Sequence, residues 1–220
     1  MMFQQAREAV VQTCLSLADK GYLAGTGGNI ALRADAEHFL VTPSATDYYA
    51  MGAADICVIR LAGRSQVEGE KTPSVEAGMH ANVLEARPDC KASIHTHQPI
   101  ASAYTLLGIP LVVGDLALRG IIGAEIPCVS YAPSGTGWLA WKVGKVFNTV
   151  THACLMRSHG VVCVGQDIDE AIGRVAALEA ACAEFFMNGG NAAANGDPAL
   201  QLVEQTLMTV MEQHHQEIHR

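Results

Sequence analysis

Two histidines one residue apart, His95 and His97, close the run Ala92-Ser93-Ile94-His95-Thr96-His97. No other feature constrains the chain more. On a strand, successive side chains point to opposite faces, so His95 and His97 project the same way, roughly 6–7 Å apart. Two imidazoles at that separation can close on one metal ion without distorting the backbone. The same pattern also suits two ordinary polar residues at a strand end.

Half of the 220 residues are apolar and long polar runs are few, which suits one large domain over residues 1–220. A net charge of −8 with no basic cluster argues against nucleic acid or an anionic membrane surface as partner. Small anions stay open, because a local pocket can attract them. Seven cysteines are scattered and never form a CxxC. No disulfide framework follows, and a reducing cytoplasm is the expected compartment. The N-terminus carries Arg7, Glu8, Asp19 and Lys20 without an apolar core of signal-peptide type, and no stretch is long and apolar enough to span a bilayer. These features predict a soluble intracellular protein.

In chain order, Phe3, Val10, Cys14 and Leu17 recur at helical spacing, so residues 3–20 read as an amphipathic helix stopped by Gly21. The loop Leu23 to Asn29 follows, with three glycines. Its backbone N–H groups could approach an anion, with Thr26 and Asn29 adding donors; a plain tight turn into the next strand explains it more simply. Strands are predicted at 38–42 and 55–61, giving an antiparallel run after one helix. Thr72 reads as the N-cap of a helix with Pro73 at its first position, and Glu76 as a first-turn acid. His80, one turn on, reads as a helix-surface residue. After the 91–97 strand come a short helix at 99–107, an extended stretch at 109–115 and an ambiguous segment at 116–124. A strand at 126–129 and a helix at 138–148 follow. A buried strand at 153–156 leads into Arg157-Ser158-His159-Gly160, where a third histidine meets a turn before the strand 161–165. Helices are predicted over 167–188 and 200–218, joined by a small-residue linker, and His214, His215 and His219 read as a solvated helix end.

Gly27-Gly28-Asn29, Thr42-Pro43-Ser44, Pro73-Ser74-Val75-Glu76, His95-Thr96-His97 and Ser158-His159-Gly160 occur in the order and spacing of the class II aldolase/adducin superfamily. The chain resembles that family over roughly residues 5–190. The resemblance implies a three-layer α/β/α fold, a central, mostly antiparallel sheet flanked by helices. It implies a homotetramer with active sites between subunits. It also implies that His95, His97 and His159 hold a divalent metal, usually zinc, with Mn2+ or Co2+ as options. Three neutral nitrogen ligands with an open position are the catalytic pattern for zinc. Glu76 matches the family's acid/base, with a second role as a ligand of the resting metal.

A cation held by neutral imidazoles can stabilise the enediolate formed when a C–C bond breaks beside a carbonyl, while a carboxylate moves the proton on carbon. The substrate is then a small hydroxy-carbonyl compound, a phosphorylated sugar among the options. In the family's sugar-phosphate aldolases the phosphate lies at positions matching Gly28, Asn29, Ser44, Ala45, Ser74 and Val75. Here Ala45 stands where glycine is usual and Val75 where a second serine is usual, which weakens the anion site by about 1.5–3 kcal/mol for a lost hydroxyl. No tyrosine occurs between Tyr104 and Tyr131; Asp115 and Arg119 occupy that region. Aldol cleavage is the favoured reading. A decarboxylase of the same superfamily, with Arg119 gripping a carboxylate, is the alternative, although Arg119 reads more simply as a surface residue. A non-catalytic scaffold like the adducin head is disfavoured by retention of all three histidines and Glu76.

Overall fold

The computed structural model describes residues 1–23, 25–148, 150–188 and 198–218, apart from the side chains of 199–200 and 211–218. His214 and His215 as side chains, His219 and the linker before Pro198 lie outside the described residues.

Helix α1 (Gln4–Asp19) leads into strands β1 (Asn29–Arg33), β2 (His38–Val41), β3 (Cys57–Arg60) and β4 (Gln66–Glu68). Next come α2 (Ala77–Ala86), β5 (Ala92–Thr96), α3 (Pro99–Thr105), β6 (Leu111–Val112), α4 (Leu116–Ile122), β7 (Glu125–Ile126) and β8 (Cys128–Val129). The chain continues through α5 (Gly137–Val146), β9 (Ala153–Met156), β10 (Gly160–Gly165), α6 (Ile168–Met187) and α7 (Pro198–Ile218). Eight strands form one sheet in the order β4-β3-β2-β1-β5-β10-β9-β8. Every neighbouring pair is antiparallel except β8 with β9. The expected mostly antiparallel α/β/α architecture is therefore the one observed.

Strand alternation explains the layers. Ile30, Leu40, Ala92, Ile94, Val161 and Cys163 join one core with Val10, Cys14 and Leu17 of α1 and Val175 and Leu178 of α6. Their neighbours Val162 and Val164 face the opposite side, where Met79 and Val83 of α2 and Leu139 and Val143 of α5 cover them. Ala31, Phe39 and Val41 do the same against Ala81 and Leu84. β10 is buried along its whole length because helices cover both faces, so it reads as an uninterrupted apolar run. β5 shows the alternation most usefully. Ala92 and Ile94 enter the α1/α6 core, so Ser93 and His95 must face α2.

Several predicted elements shift. Residues 72–74 do not open a helix. Ser44 N donates to Thr72 O (2.8 Å) and Ser74 N to Thr42 O (3.0 Å), so this segment runs beside the end of β2. Sheet-like pairing of two backbone segments outweighs a local Thr72 cap, and α2 begins only at Ala77, after Glu76. The expected 126–129 strand is split at Pro127, which has no N–H to donate: β7 pairs with β6, while β8 joins the main sheet. The ambiguous segment 116–124 is mostly helix α4, capped by the Asp115 side chain, which accepts from Leu118 N. His80 is not on the helix surface. It is fully buried between α2 and the sheet, because its face of α2 is the one that packs on β5 and β1.

Candidate metal centre

Three imidazoles converge from two distant segments. His95 lies near the end of β5, and His97 just past it, where its N–H donates to Tyr22 O (3.1 Å). His159 sits in the turn between β9 and β10, after Ser158 in the left-handed region at φ 56°. β10 pairs with β5 so that Val162 lies opposite His95, and this register delivers the turn to the end of β5. Small residues make the approach possible. A Cβ on Gly160 would lie 2.6 Å from His97 Cδ2 and 3.0 Å from His95 Cε1. Gly28, at φ +82°, passes so close to β5 that a Cβ would lie 2.8 Å from His95 O.

The ring centroids are 4.7 Å (His95–His97), 4.9 Å (His95–His159) and 5.3 Å (His97–His159) apart. One nitrogen from each ring falls within 4.8 Å of the others. Glu76 closes the group: Oε2 lies 3.2 Å from His95 Nε2 and Oε1 lies 3.3 Å from His159 Nε2. Each carboxylate oxygen also accepts one hydrogen bond, from Asn29 Nδ2 (2.8 Å) and from Ser134 Oγ (2.8 Å) respectively.

Charge states follow from these contacts. Burial opposes ionisation of Glu76, but the imidazoles of His95 and His159 and the Asn29 and Ser134 donors outweigh it and hold the carboxyl below its usual range. Burial pushes His95 below the ordinary imidazole range, against the pull of Glu76. Burial and the neighbouring His159 also lower His97. His95 Nδ1 lies 2.8 Å from Val161 O, a carbonyl that can only accept, so Nδ1 carries the proton and Nε2 presents a lone pair. That lone pair faces a carboxylate oxygen and, 3.0 Å away, His97 Nε2. Acceptors crowded together in a buried space repel unless a cation lies among them. Zinc–nitrogen bonds of about 2.0–2.1 Å at tetrahedral angles place ligand nitrogens roughly 3.3 Å apart, close to the 3.0 Å between His95 Nε2 and His97 Nε2. The donor set fits a divalent metal.

Asn29 stands opposite His95 in the β1–β5 pairing. Its Oδ1 accepts from His80 Nε2 (2.6 Å), and His80 Nδ1 pairs with Ser93 Oγ (2.7 Å). Ser74 Oγ accepts from Glu76 N (3.2 Å), and Val75 is two-thirds exposed. Ser44 is half-buried beside Thr72, and Ala45 adopts a left-handed φ of 48°. Of the six residues expected at an anion site, Asn29 and Ser74 therefore bond to Glu76 directly, Gly28 packs on β5 and Ser44 pairs with Thr72. Asp115 and Arg119 make their described contacts elsewhere: both are exposed, Asp115 caps α4 and Arg119 Nε donates to Val113 O (2.6 Å). Ser134, Ser93 and Tyr48, whose hydroxyl donates to Gly28 O (2.6 Å), carry no signal in the sequence, and His80 reads there as a helix-surface residue. Only the Glu76–His80 spacing offered a signal; Ser134 lies 58 residues from its partner.

An α/β/α fold with three histidines and a glutamate at the rim of its central sheet defines a class of enzyme-like proteins. Residues 8–185 match the family described as Class II Aldolase and Adducin N-terminal domain, and the chain belongs to that family. It is 30% identical over 77% of its length to the L-fuculose phosphate aldolase of Methanococcus maripaludis, covering 89% of that protein. It is also 30% identical to the 5-deoxy-D-ribulose 1-phosphate aldolase of Bacillus thuringiensis, over 84% of this chain and 86% of that protein. The crystal structure of L-fuculose-1-phosphate aldolase from Thermus thermophilus superposes with a TM-score of 0.73 at 26% identity, covering 83% of this chain and 94% of the other.

Proposed function

We propose that this protein is a divalent-metal-dependent lyase that makes or breaks a C–C bond beside a ketone, and that residues 1–220 act as one domain. The observation that carries this reading is the convergence of three imidazoles, one buried and two half-buried, and the Glu76 carboxylate on one point. His95, His97 and His159 would hold the metal, with zinc the first choice for three imidazoles. When bound, that cation supplies the Lewis acidity that polarises a carbonyl and a neighbouring hydroxyl.

The chain's own groups account for the rest. Ionised Glu76 accepts a proton from the carbon next to the ketone in the condensation direction, and the C–H electron pair becomes that of an enediolate. In the cleavage direction Glu76 returns the proton to carbon. Asn29 and Ser134 hold its two oxygens so that the carboxylate keeps one orientation. The two relatives named above are aldolases of L-fuculose phosphate and of 5-deoxy-D-ribulose 1-phosphate, so a phosphorylated ketose is the substrate class we assign. The backbone of Gly28 and the donors of Asn29, Ser44 and Ser74 would line the anion side, with Ala45 and Val75 as its weakened positions. We also read the protein as a cytoplasmic homotetramer. Exposed Val112, Leu116, Ile121, Trp138 and Trp141 are large apolar side chains suited to cover by other copies.

The test is incubation with Zn2+ or Mn2+ and a panel of ketose 1-phosphates, hydroxy-ketones and aromatic carboxylates. Aldehyde release from a ketose phosphate is expected, lost on chelation and restored by added metal. His97→Ala is expected to lose metal and turnover together. Carbon dioxide release instead would identify a decarboxylase, and full turnover by metal-free His97→Ala would end the lyase mechanism.

A further inference from the structure

We infer that His80 and Asn29 are positioning residues that set the orientation of Glu76. This rests on the reading of Glu76 as the group that moves the proton. Glu76 needs its carboxylate aimed at the reacting carbon, and a glutamate side chain has three torsions with which to miss. Asn29 supplies the stop at Oε2 (2.8 Å) and is itself 95% buried, with a relative exposure of 5%. An amide can flip, so something must hold it in turn.

The proton arrangement is determinate. The NH2 end of Asn29 faces the Glu76 carboxylate and its carbonyl end faces His80. That carbonyl accepts from His80 Nε2 at 2.6 Å, which puts the His80 proton on Nε2 and leaves Nδ1 bare. Nδ1 can then only accept, at 2.7 Å, from the Ser93 hydroxyl. All four side chains are buried, on β5 (Ser93), α2 (His80), β1 (Asn29) and the residue that precedes α2 (Glu76). Flipping the Asn29 amide would set NH2 against the His80 N–H and a carbonyl against the carboxylate. Both contacts are repulsive, so the buried network admits one orientation.

The arrangement also bears on substrate binding. The resemblance assigns Asn29 to a phosphate, yet its Oδ1 and one N–H are already committed inward. Its side chain therefore serves the carboxylate first, and losing its partner His80 is expected to change turnover rather than substrate affinity.

The experiment compares zinc-loaded wild type, His80→Phe and His80→Gln. The readouts are aldehyde release from a ketose 1-phosphate and exchange of the carbon-bound protons of dihydroxyacetone phosphate with D2O. His80→Phe is expected to lower kcat about 100-fold with KM and zinc content little changed. His80→Gln, which keeps an N–H where Nε2 stood, is expected to recover most of the loss. In a Glu76→Gln background His80→Phe should add almost nothing, because its route to the reaction is already gone. Unchanged kcat in His80→Phe, a rise in KM alone, or fully additive losses in the double variant would overturn the inference. If His80→Phe does not fold, Asn29→Ala is expected to lower kcat in the same way, whatever it does to KM through the anion side, and unaltered kcat there is equally decisive. A crystal structure of the variant separates this inference from the reading beneath it. Should wild type show neither activity, the proton role of Glu76 falls, while an undisturbed Glu76 carboxylate in the variant structure would refute the positioning role by itself.

Discussion

Ala45 sits in the left-handed region at φ 48°, a conformation in which its methyl group crowds the following carbonyl. Its side chain is exposed. Ala45→Gly is therefore expected to stabilise the fold by about 0.5–1 kcal/mol, the relief of strain less the extra freedom of glycine in the unfolded chain. Denaturant unfolding measures it, and a lowered midpoint would contradict the strain. Val75 points outward beside Gly135, where a serine hydroxyl would face the same space. Val75→Ser is expected to lower KM for a ketose phosphate roughly tenfold, the worth of one hydrogen bond to a charged group. Steady-state kinetics on phosphorylated and unphosphorylated ketoses check it, and equal gains on both would place the phosphate elsewhere. At this scale His95, His97, His159 and Glu76 were legible, because their chemistry is rare and their spacing informative. His80 was not, since the same i, i+4 offset from Glu76 serves a surface pair or a buried one, and only the packing of α2 chooses.

Among the elements, the β5–β10 pairing decides whether the centre exists. The turn before β10 must pass under the His97 ring, and hydrogen in place of a side chain at Gly160 allows it. Gly160→Ala is expected to cost about 1–3 kcal/mol by overpacking and to lower bound zinc, because the His97 ring and the Thr96 carbonyl, each 2.6 Å from the added carbon, must move to make room. Metal analysis beside thermal melting separates the two effects; a variant that keeps full zinc would show that His97 has slack. Local patterning located β2, β3, β5, β9, β10 and the long helices to within a few residues, since alternation and helical periodicity are properties of neighbouring positions. It misplaced the start of α2. A capped helix at Thr72 is a sound local solution, but Thr42 and Ser44, just past β2, offer Ser74 and Thr72 backbone partners from distant positions in the chain.

For the whole molecule, the exposed apolar side chains on α4 and α5 call for cover. Light scattering in solution is expected to give the mass of four 23.3 kDa chains; a monomer at micromolar concentration would remove the inter-subunit site from the account. What the sequence determined by itself was the family, the layered α/β fold and the chemical types at the centre, because these reside in order, periodicity and residue identity. Tertiary structure alone decided that Asn29, Ser134 and His80 serve Glu76, that Asp115 caps a helix, and that Ala45 is strained. Those assignments depend on which side chains meet in space and what water is excluded, and a hydrogen bond across 58 residues leaves no mark on the residues between.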